Sequence, residues 1–454
     1  MRIAVVGGGI TGLAAAYALR GHDVTLLERD ARLGGKILTE RIDGFLLEAG
    51  PDSFLTTKPQ AVALCRELGL ADRLTGTNPG RTVYVLSRGR LHPLPDGLML
   101  IAPTKVAPFL RSGLFSLREK ARMAADLFLP PRAADRDESL AAFVRRRLGQ
   151  AALDRIAAPL LAGIYAGESE QLSLRATFPQ LLDLEKKHGS LIAGMLAQRR
   201  RTAVSPSTDG RLPLFMTLDD GLDRLVDRLA ASLQGVDVRT GTGVAALSRS
   251  ASGYSLHLDT GDRVRADAVM LTTPAYVTAD LLDALAPDAA ALLRQIPYAS
   301  TATISLGYRQ QDLPPLDGHG FVVARGEGRR ITACTWASAK WPARAPGGYG
   351  LLRAYVGSAG DLEALERSDD EIIQIVRGEL AAAMGLQARP VLTRVVRWPR
   401  SMPQYTLGHL DRLAAIERAL SRLPGIVLAG AAYRGIGLPD CIRQGRAAAA
   451  RVGG

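Results

Sequence analysis

Aromatic side chains are scarce: Phe, Trp and Tyr make up 5% of the 454 residues. Nucleic-acid grooves pair positive charge with stacking platforms or a recognition motif. The excess of 57 Lys and Arg over 45 Asp and Glu, a net charge of +12, comes with neither. Nucleic acid is therefore not expected as a partner, and the Arg runs at 145–147 and 199–201 read as solvated helix faces. The charge leaves open an anionic lipid surface or a polycarboxylate ligand. Cysteine is equally sparse: Cys65, Cys334 and Cys441 are odd in number, far apart and never spaced C-x-x-C. That excludes a disulfide framework and a zinc site, and fits a reducing cytoplasm. The six histidines are scattered, His188 in "KKHGS" reads as a surface residue, and no metal is expected. The opening "MRIAVVGGG" has no basic region followed by an apolar core, so no secretion signal is expected. The longest apolar-looking stretch, 97–115, is interrupted by Pro103, Lys105, Pro108 and Arg111. It cannot be a simple membrane span, though it can lie on a membrane surface. Also missing are H-E-x-x-H, a nucleophile elbow and a phosphoryl-transfer loop.

What is present begins with core-forming capacity. At 47% apolar composition a chain of this length is expected to fill two or three domains. Residues 3–6 (IAVV) and 23–28 (DVTLLE), with a helical "GLAAAYALR" between them, predict a βαβ unit of buried parallel strands. From about 92 to 215 the periodicity is helical, with a capping box at Ser116 and Glu119 and a loop at 129–138. Strands return at 236. A hairpin is expected around "TGD" in 254–267, a buried strand in 266–275, and a second sheet from 300–308, 331–338 and 351–357. The chain closes with a strand at 425–433, a glycine-rich turn and a helix. The fold class is α/β: a Rossmann-like nucleotide-binding domain assembled from discontinuous segments, with substrate-facing elements inserted between them.

Gly7, Gly9 and Gly12 form G-x-G-x-x-G between the first strand and first helix, enclosing Gly8, Ile10 and Thr11. In that setting the glycines permit the tight turn, close approach of a pyrophosphate and close helix packing, while the helix N-terminus faces the negative charge. Glu28, followed by Arg29, ends the second strand, where a carboxylate accepts from a ribose hydroxyl. This favours an adenosine ribose without a 2′-phosphate.

Two further stretches, "RLGGK" (32–36) and "GFLLEAGPDSF" (44–54), lead back toward the same crevice. The arrangement resembles the flavoproteins of the amine oxidase superfamily, and the resemblance implies FAD. On it, Gly35 and Lys36 pack against the adenosine-to-flavin span, and Gly50, Pro51, Asp52 and Ser53 form a turn at the flavin. Val244 pairs with adenine, and Trp398 lies near the ring. Ala431, Ile436, Gly437 and Leu438 belong to a closing turn whose helix N-terminus points at the flavin.

The ordered blocks "GPDSFL", "LHPLPDGLMLIAPTKVAPFLRSGLFS", "PLLAGIYAGE", "LSLRATFPQL", "ITACTWASAKWP", "LLRAYVG", "RWPRSMPQYTLGH" and "GIGLPDCI" narrow the resemblance to the oxygen-dependent porphyrinogen oxidases, in particular the bacterial coproporphyrinogen III oxidase branch. It implies a six-electron oxidation of coproporphyrinogen III to coproporphyrin III in haem biosynthesis, with dioxygen as acceptor and hydrogen peroxide as product. Protoporphyrinogen IX is the alternative substrate, and amine oxidation on the same scaffold a further one. Residues 1–80, 216–275 and 391–454 are expected to bind FAD, 81–215 to form a mainly helical insertion that lines the substrate cavity and is open to facing a membrane, and 276–390 to form a substrate-binding sheet domain. No residue is singled out as a catalytic acid or base. Asp52, Lys58, Ile164 and Tyr355 are the substrate-cavity candidates. Arg434 stands where relatives often carry an acid, and the connection "RGHDV" is shorter than the family's. Peripheral contact with the cytoplasmic membrane, product handover to a ferrochelatase and the oligomeric state are left open.

Overall fold

The computed structural model describes residues 1–453 apart from 80–81, 100, 133–135, 205–211, 251 and 360–362. Part of the loop expected at 129–138, and the expected boundary at 80/81, lie outside the described residues.

Two sheets organise the chain. The first has five parallel strands in the order Val236–Arg239, Asp23–Leu27, Arg2–Val6, Ala268–Leu271 and Ile426–Leu428. Its central strands are apolar on both faces, as parallel strands covered by helices must be; Ala268–Leu271 is buried along its whole length. On one face the Ile10–Ala18 helix packs against the closing helix, Leu438–Gly453. Two glycines permit that approach. A methyl on Gly12 would collide with the Gly7 carbonyl, and one on Gly445 with the Thr11 carbonyl. Between the third and fourth strands in chain order runs an antiparallel meander, Val244–Ser250, Gly253–Leu258 and Arg263–Ala266. Its second hairpin turns at the expected T-G-D, with Gly261 at φ 90°.

The second sheet has seven strands in the order Leu392–Pro403, Tyr298–Arg309, Tyr349–Val356, Ile331–Thr335, Gly320–Val323, Tyr84–Ser87 and Arg90–Pro93. All neighbours are antiparallel except Gly320–Val323 with Tyr84–Ser87. Tyr84–Ser87 and Arg90–Pro93 were expected in the helical insertion and Leu392–Pro403 in the last nucleotide-binding piece; all three hydrogen-bond within this sheet.

The insertion itself packs around Phe143, Leu153, Ile156 and Met195. Ser116 and Glu119 form the expected capping box. The helical periodicity of 139–163 is divided between two helical segments. Gly149, at φ 89°, ends Leu140–Leu148, and the chain restarts at Gln150–Ala152 and passes through a π turn, Leu153–Ala157, into Ala158–Tyr165. Pro159 has no N–H to donate and its ring would crowd the carbonyl four residues back, which a widened turn relieves. Beneath the insertion Arg147 is completely buried. It reaches Asp126 at 2.5 Å and Glu185 at 3.4 Å, while Ser190 and the Ile192 N–H satisfy the other Asp126 oxygen. Arg147, the last of the Arg run 145–147, is therefore not a solvated residue.

Candidate functional site

The strand order of the parallel sheet reverses between Arg2–Val6 and Ala268–Leu271, and ligands of such sheets bind in the crevice at that switch point, beyond the carboxyl ends of the strands. Here the crevice is lined by the glycine turn. Gly7 takes φ 107° and donates to the Leu27 carbonyl. Thr272, the first residue past its strand, donates from Oγ1 within 2.9 Å of both the Val6 and Gly7 carbonyls and so locks the turn. Sequence reasoning missed Thr272, although a polar side chain following a buried apolar strand is a readable signal. A methyl on Gly9 would meet nothing. The residue that opens the first helix therefore borders free space, at the end where N–H groups lack helical partners.

Glu28 is tied to this turn. Its Oε2 accepts from the Gly8 N–H at 2.6 Å and its Oε1 from the Asp30 N–H at 2.9 Å, which leaves lone pairs on both oxygens for a hydroxyl donor. Val244 opens the meander strand beside it, because Thr242 N–H donates to the Glu28 carbonyl and Gly241 N–H to Asp30. Arg29 is mostly exposed, with its stem against Gly243.

The glycine doublet docks on the first turn: Gly34 N–H donates to Gly8 at 2.8 Å, and a methyl on Gly35 would lie 3.2 Å from the Gly9 Cα. Arg32 holds the doublet in shape by donating to the carbonyls of Leu33, Gly35 and Ile37. Lys36 then crosses the crevice and its ammonium donates to the Ser401 carbonyl on the second sheet. Burial pulls this amine down to about 8.

The turn at 49–53 is gripped from the second sheet. The Ala49 carbonyl accepts from Trp398 Nε1 at 2.8 Å, Thr303 Oγ1 at 2.9 Å and Arg353 Nη2 at 3.2 Å, and Arg353 also donates to Gly50. Gly50 itself must be glycine, since a methyl would strike the Lys36 carbonyl. Trp398 is thus half-buried with its indole N–H spent on this turn. Asp52 faces the same sheet: Lys340 Nζ and Trp341 Nε1 donate to one oxygen at 2.9 and 3.1 Å, and Ser53 Oγ to the other at 2.7 Å. Burial alone would raise its pKa, but the charges of Lys340 and Arg353 outweigh that and hold the carboxyl well below the usual range. Lys340 and Arg353 were not anticipated; each lies some 300 residues from its partner, and no local pattern marks it.

The remaining cavity candidates separate. Lys58 is half-exposed and paired with Asp440 at 2.6 Å. Ile164, 46% exposed, sits near the end of its helix, whereas its neighbour Tyr165 is buried against Phe178 and Tyr405. Tyr355 is half-buried on its strand, its hydroxyl 3.4 Å from Thr335 Oγ1 and its ring under the Arg353 guanidinium.

Across the crevice the closing turn leaves the sheet after Leu428. Gly430 and Gly435 take φ 133° and 113°, so the strand expected to run to 433 pairs only over Ile426–Leu428. Ala431, Ile436 and Gly437 remain half-buried at the crevice, and the helix begins at Leu438, with Pro439 in its first turn, where a missing N–H costs nothing. Two helix N-termini, at Ile10 and Leu438, therefore open toward the same end of the sheet. Arg434 points away, to Glu417 at 2.8 Å on the surface. Cys441 is buried and its thiol pushed up to about 11 by burial. Open space beside Gly9, a carboxylate with lone pairs free for a ribose and a second helix end beyond it fit an extended, anionic dinucleotide.

The family model for flavin containing amine oxidoreductases matches residues 10–453. The coproporphyrinogen III oxidase of Bacillus subtilis is 43% identical over 98% of this chain and 96% of its own length, and that of Staphylococcus aureus 35% identical over 99% and 98%. A chloroplastic protoporphyrinogen oxidase of rice is 31% identical over 99% and 87%. Among solved structures, a protein of Exiguobacterium sp. 255-15 is 38% identical with a TM-score of 0.88, covering 99% of this chain and 98% of its own. A putrescine oxidase shares the fold at 18% identity and a TM-score of 0.71, over 100% and 99%.

Proposed function

The chain belongs to the flavin containing amine oxidoreductases, and on that premise we propose that it is an FAD-dependent oxidase converting coproporphyrinogen III to coproporphyrin III. The observation that carries this is the end-to-end likeness to bacterial proteins of that name at 35–43% identity. FAD, when bound, supplies the acceptor for hydride from a meso carbon and passes the electrons to dioxygen. Each of three rounds removes two electrons and two protons, so one porphyrinogen and three dioxygen molecules give one porphyrin and three of hydrogen peroxide.

The chain's own residues position and enclose. Gly7, Gly8, Gly9, Ile10, Thr11 and Gly12 would hold the diphosphate and Glu28 a ribose, with Arg29 at its rim and Val244 at the adenine. Gly35 and Lys36 would border the middle of the dinucleotide. Gly50 to Ser53, Trp398, Ala431 and Ile436 to Leu438 would enclose the ring. Ile164 and Tyr355 supply apolar and aromatic surface for the macrocycle, whose propionates suit a chain of net charge +12. A propionate reaching Lys58 competes with Asp440; Asp52, already ionised and fully partnered, serves by fixing the turn.

With each porphyrinogen supplied separately under air, porphyrin fluorescence and peroxide should rise faster with coproporphyrinogen III, at three peroxides per porphyrin. Faster turnover of protoporphyrinogen IX would give the chain the rice relative's chemistry instead.

Among the described residues no helix is long and apolar enough to cross a membrane. Peripheral contact suits the insertion, where Val106, Leu110, Leu117 and Phe128 are 53–88% exposed on segments that also carry the exposed Arg111 and Arg118. Cosedimentation with phosphatidylglycerol vesicles, lost on Phe128→Ser with Leu117→Ser, checks it; equal pelleting of the double variant would refute it. Handover of the product to a ferrochelatase is the partner this chemistry calls for.

A further inference from the structure

The hydroxyl of Tyr405 makes two backbone hydrogen bonds of opposite sense. It donates to the Ala431 carbonyl at 2.7 Å and accepts from the Gly435 N–H at 2.8 Å. Those residues are the two arms of the closing turn, whose glycines at positive φ give it little stiffness of its own. On the helix side Gln444 supplies the matching clamp, accepting from the Arg434 N–H at 3.2 Å and donating to the Gly435 carbonyl at 3.1 Å. Tyr405 itself cannot swing. It is 1% exposed, its ring stacks on His409 with centroids 4.1 Å apart and planes at 12°, and its own carbonyl accepts from Ser173 N–H of the insertion at 2.8 Å. His409 in turn reaches the Tyr433 carbonyl at 3.0 Å.

We propose that Tyr405 is a positioning residue for the flavin: by fixing the separation of Ala431 and Gly435 it sets where Ile436 to Leu438 lie and where the N-terminal end of the last helix is aimed. The inference rests on the flavin-site reading above. Its consequence is electrostatic as well as steric. A helix N-terminus stabilises negative charge only over about its first turn, so a shift of the turn weakens both cofactor binding and stabilisation of the reduced, more negative ring. A single side-chain atom that donates and accepts at once is a hydroxyl; phenylalanine keeps the stack on His409 and loses both bonds.

The test compares Tyr405→Phe with Tyr254→Phe, which removes a buried hydroxyl that donates to the Pro424 carbonyl at 2.7 Å, outside the crevice. FAD affinity is measured by reconstituting each apoprotein, and the midpoint potential of the bound flavin against a reference dye. Both variants should lose thermal stability to a similar degree. Only Tyr405→Phe should bind FAD about tenfold more weakly and shift its midpoint to more negative potential. Wild-type affinity and potential in Tyr405→Phe, or equal changes in Tyr254→Phe, would overturn the assignment. Wild-type apoprotein that takes up no FAD would refute the flavin-site reading itself, whereas FAD bound by the wild type and equally by Tyr405→Phe would overturn only this assignment.

Discussion

Lys36 is a cation whose charge the crevice itself sets. Its ammonium has the Ser401 carbonyl as acceptor, and burial lowers it to about 8 from the ordinary lysine value, so near pH 8 the free protein is a mixture of charged and neutral forms. An anionic cofactor beside it favours the ammonium and raises that value in the complex. Below pH 8 both states carry the proton and affinity is flat. Above it the free protein has lost the proton that the complex retains, so binding takes one up and FAD affinity falls as pH rises. Titrating apoprotein with FAD between pH 6.5 and 9.5 should show that fall. Lys36→Met should bind about tenfold more weakly at pH 7 and with the fall abolished; the same slope in the variant would remove Lys36 from the site.

Elements whose causes are local were legible in the sequence. The capping box at Ser116 and the hairpin at Gly261 depend on residues within a few positions, the glycine fingerprint with Glu28 on a single βαβ unit in which the partners are 20 residues apart, and each formed. Legibility failed where two local rules competed. A helical periodicity ran through Gly149 and Pro159, and their backbone limits, not the pattern, decided the break and the π turn. The apolar run 425–433 looked like one strand, but Gly430 turns it after three paired residues. It failed again where an element's role is set from afar. Tyr84–Ser87 has the alternation of any strand, and nothing in it says that Gly320–Val323 lies alongside. Asp52 and Lys58 illustrate the same limit within the site. Their candidacy for the cavity came from the resemblance, whereas their partners Lys340 and Asp440 come from segments 288 and 382 residues away.

At the scale of the whole molecule those distant bonds make the two sheets depend on each other. The nucleotide-binding sheet draws strands from Arg2 to Leu428, and the second sheet holds its 49–53 turn through Trp398, Thr303, Arg353, Lys340 and Trp341. Arg344, buried, adds bonds from the second sheet's side to the carbonyls of Leu218 and Asp219. The three tryptophans, Trp336, Trp341 and Trp398, all lie in or beside the second sheet, so their fluorescence reports on that sheet. If the sheets unfold as one, a ligand of the first must stabilise the tryptophan signal of the second. Free FAD at a hundred times its dissociation constant contributes about 2.7 kcal/mol to whatever unit binds it. The tryptophan-detected melting temperature should therefore rise by a few degrees, in step with far-ultraviolet circular dichroism. A tryptophan transition that stays in place while the dichroism shifts would mean that the seven-stranded sheet melts by itself, and that its grip on Ala49 and Asp52 contributes too little to join the two units into one cooperative fold.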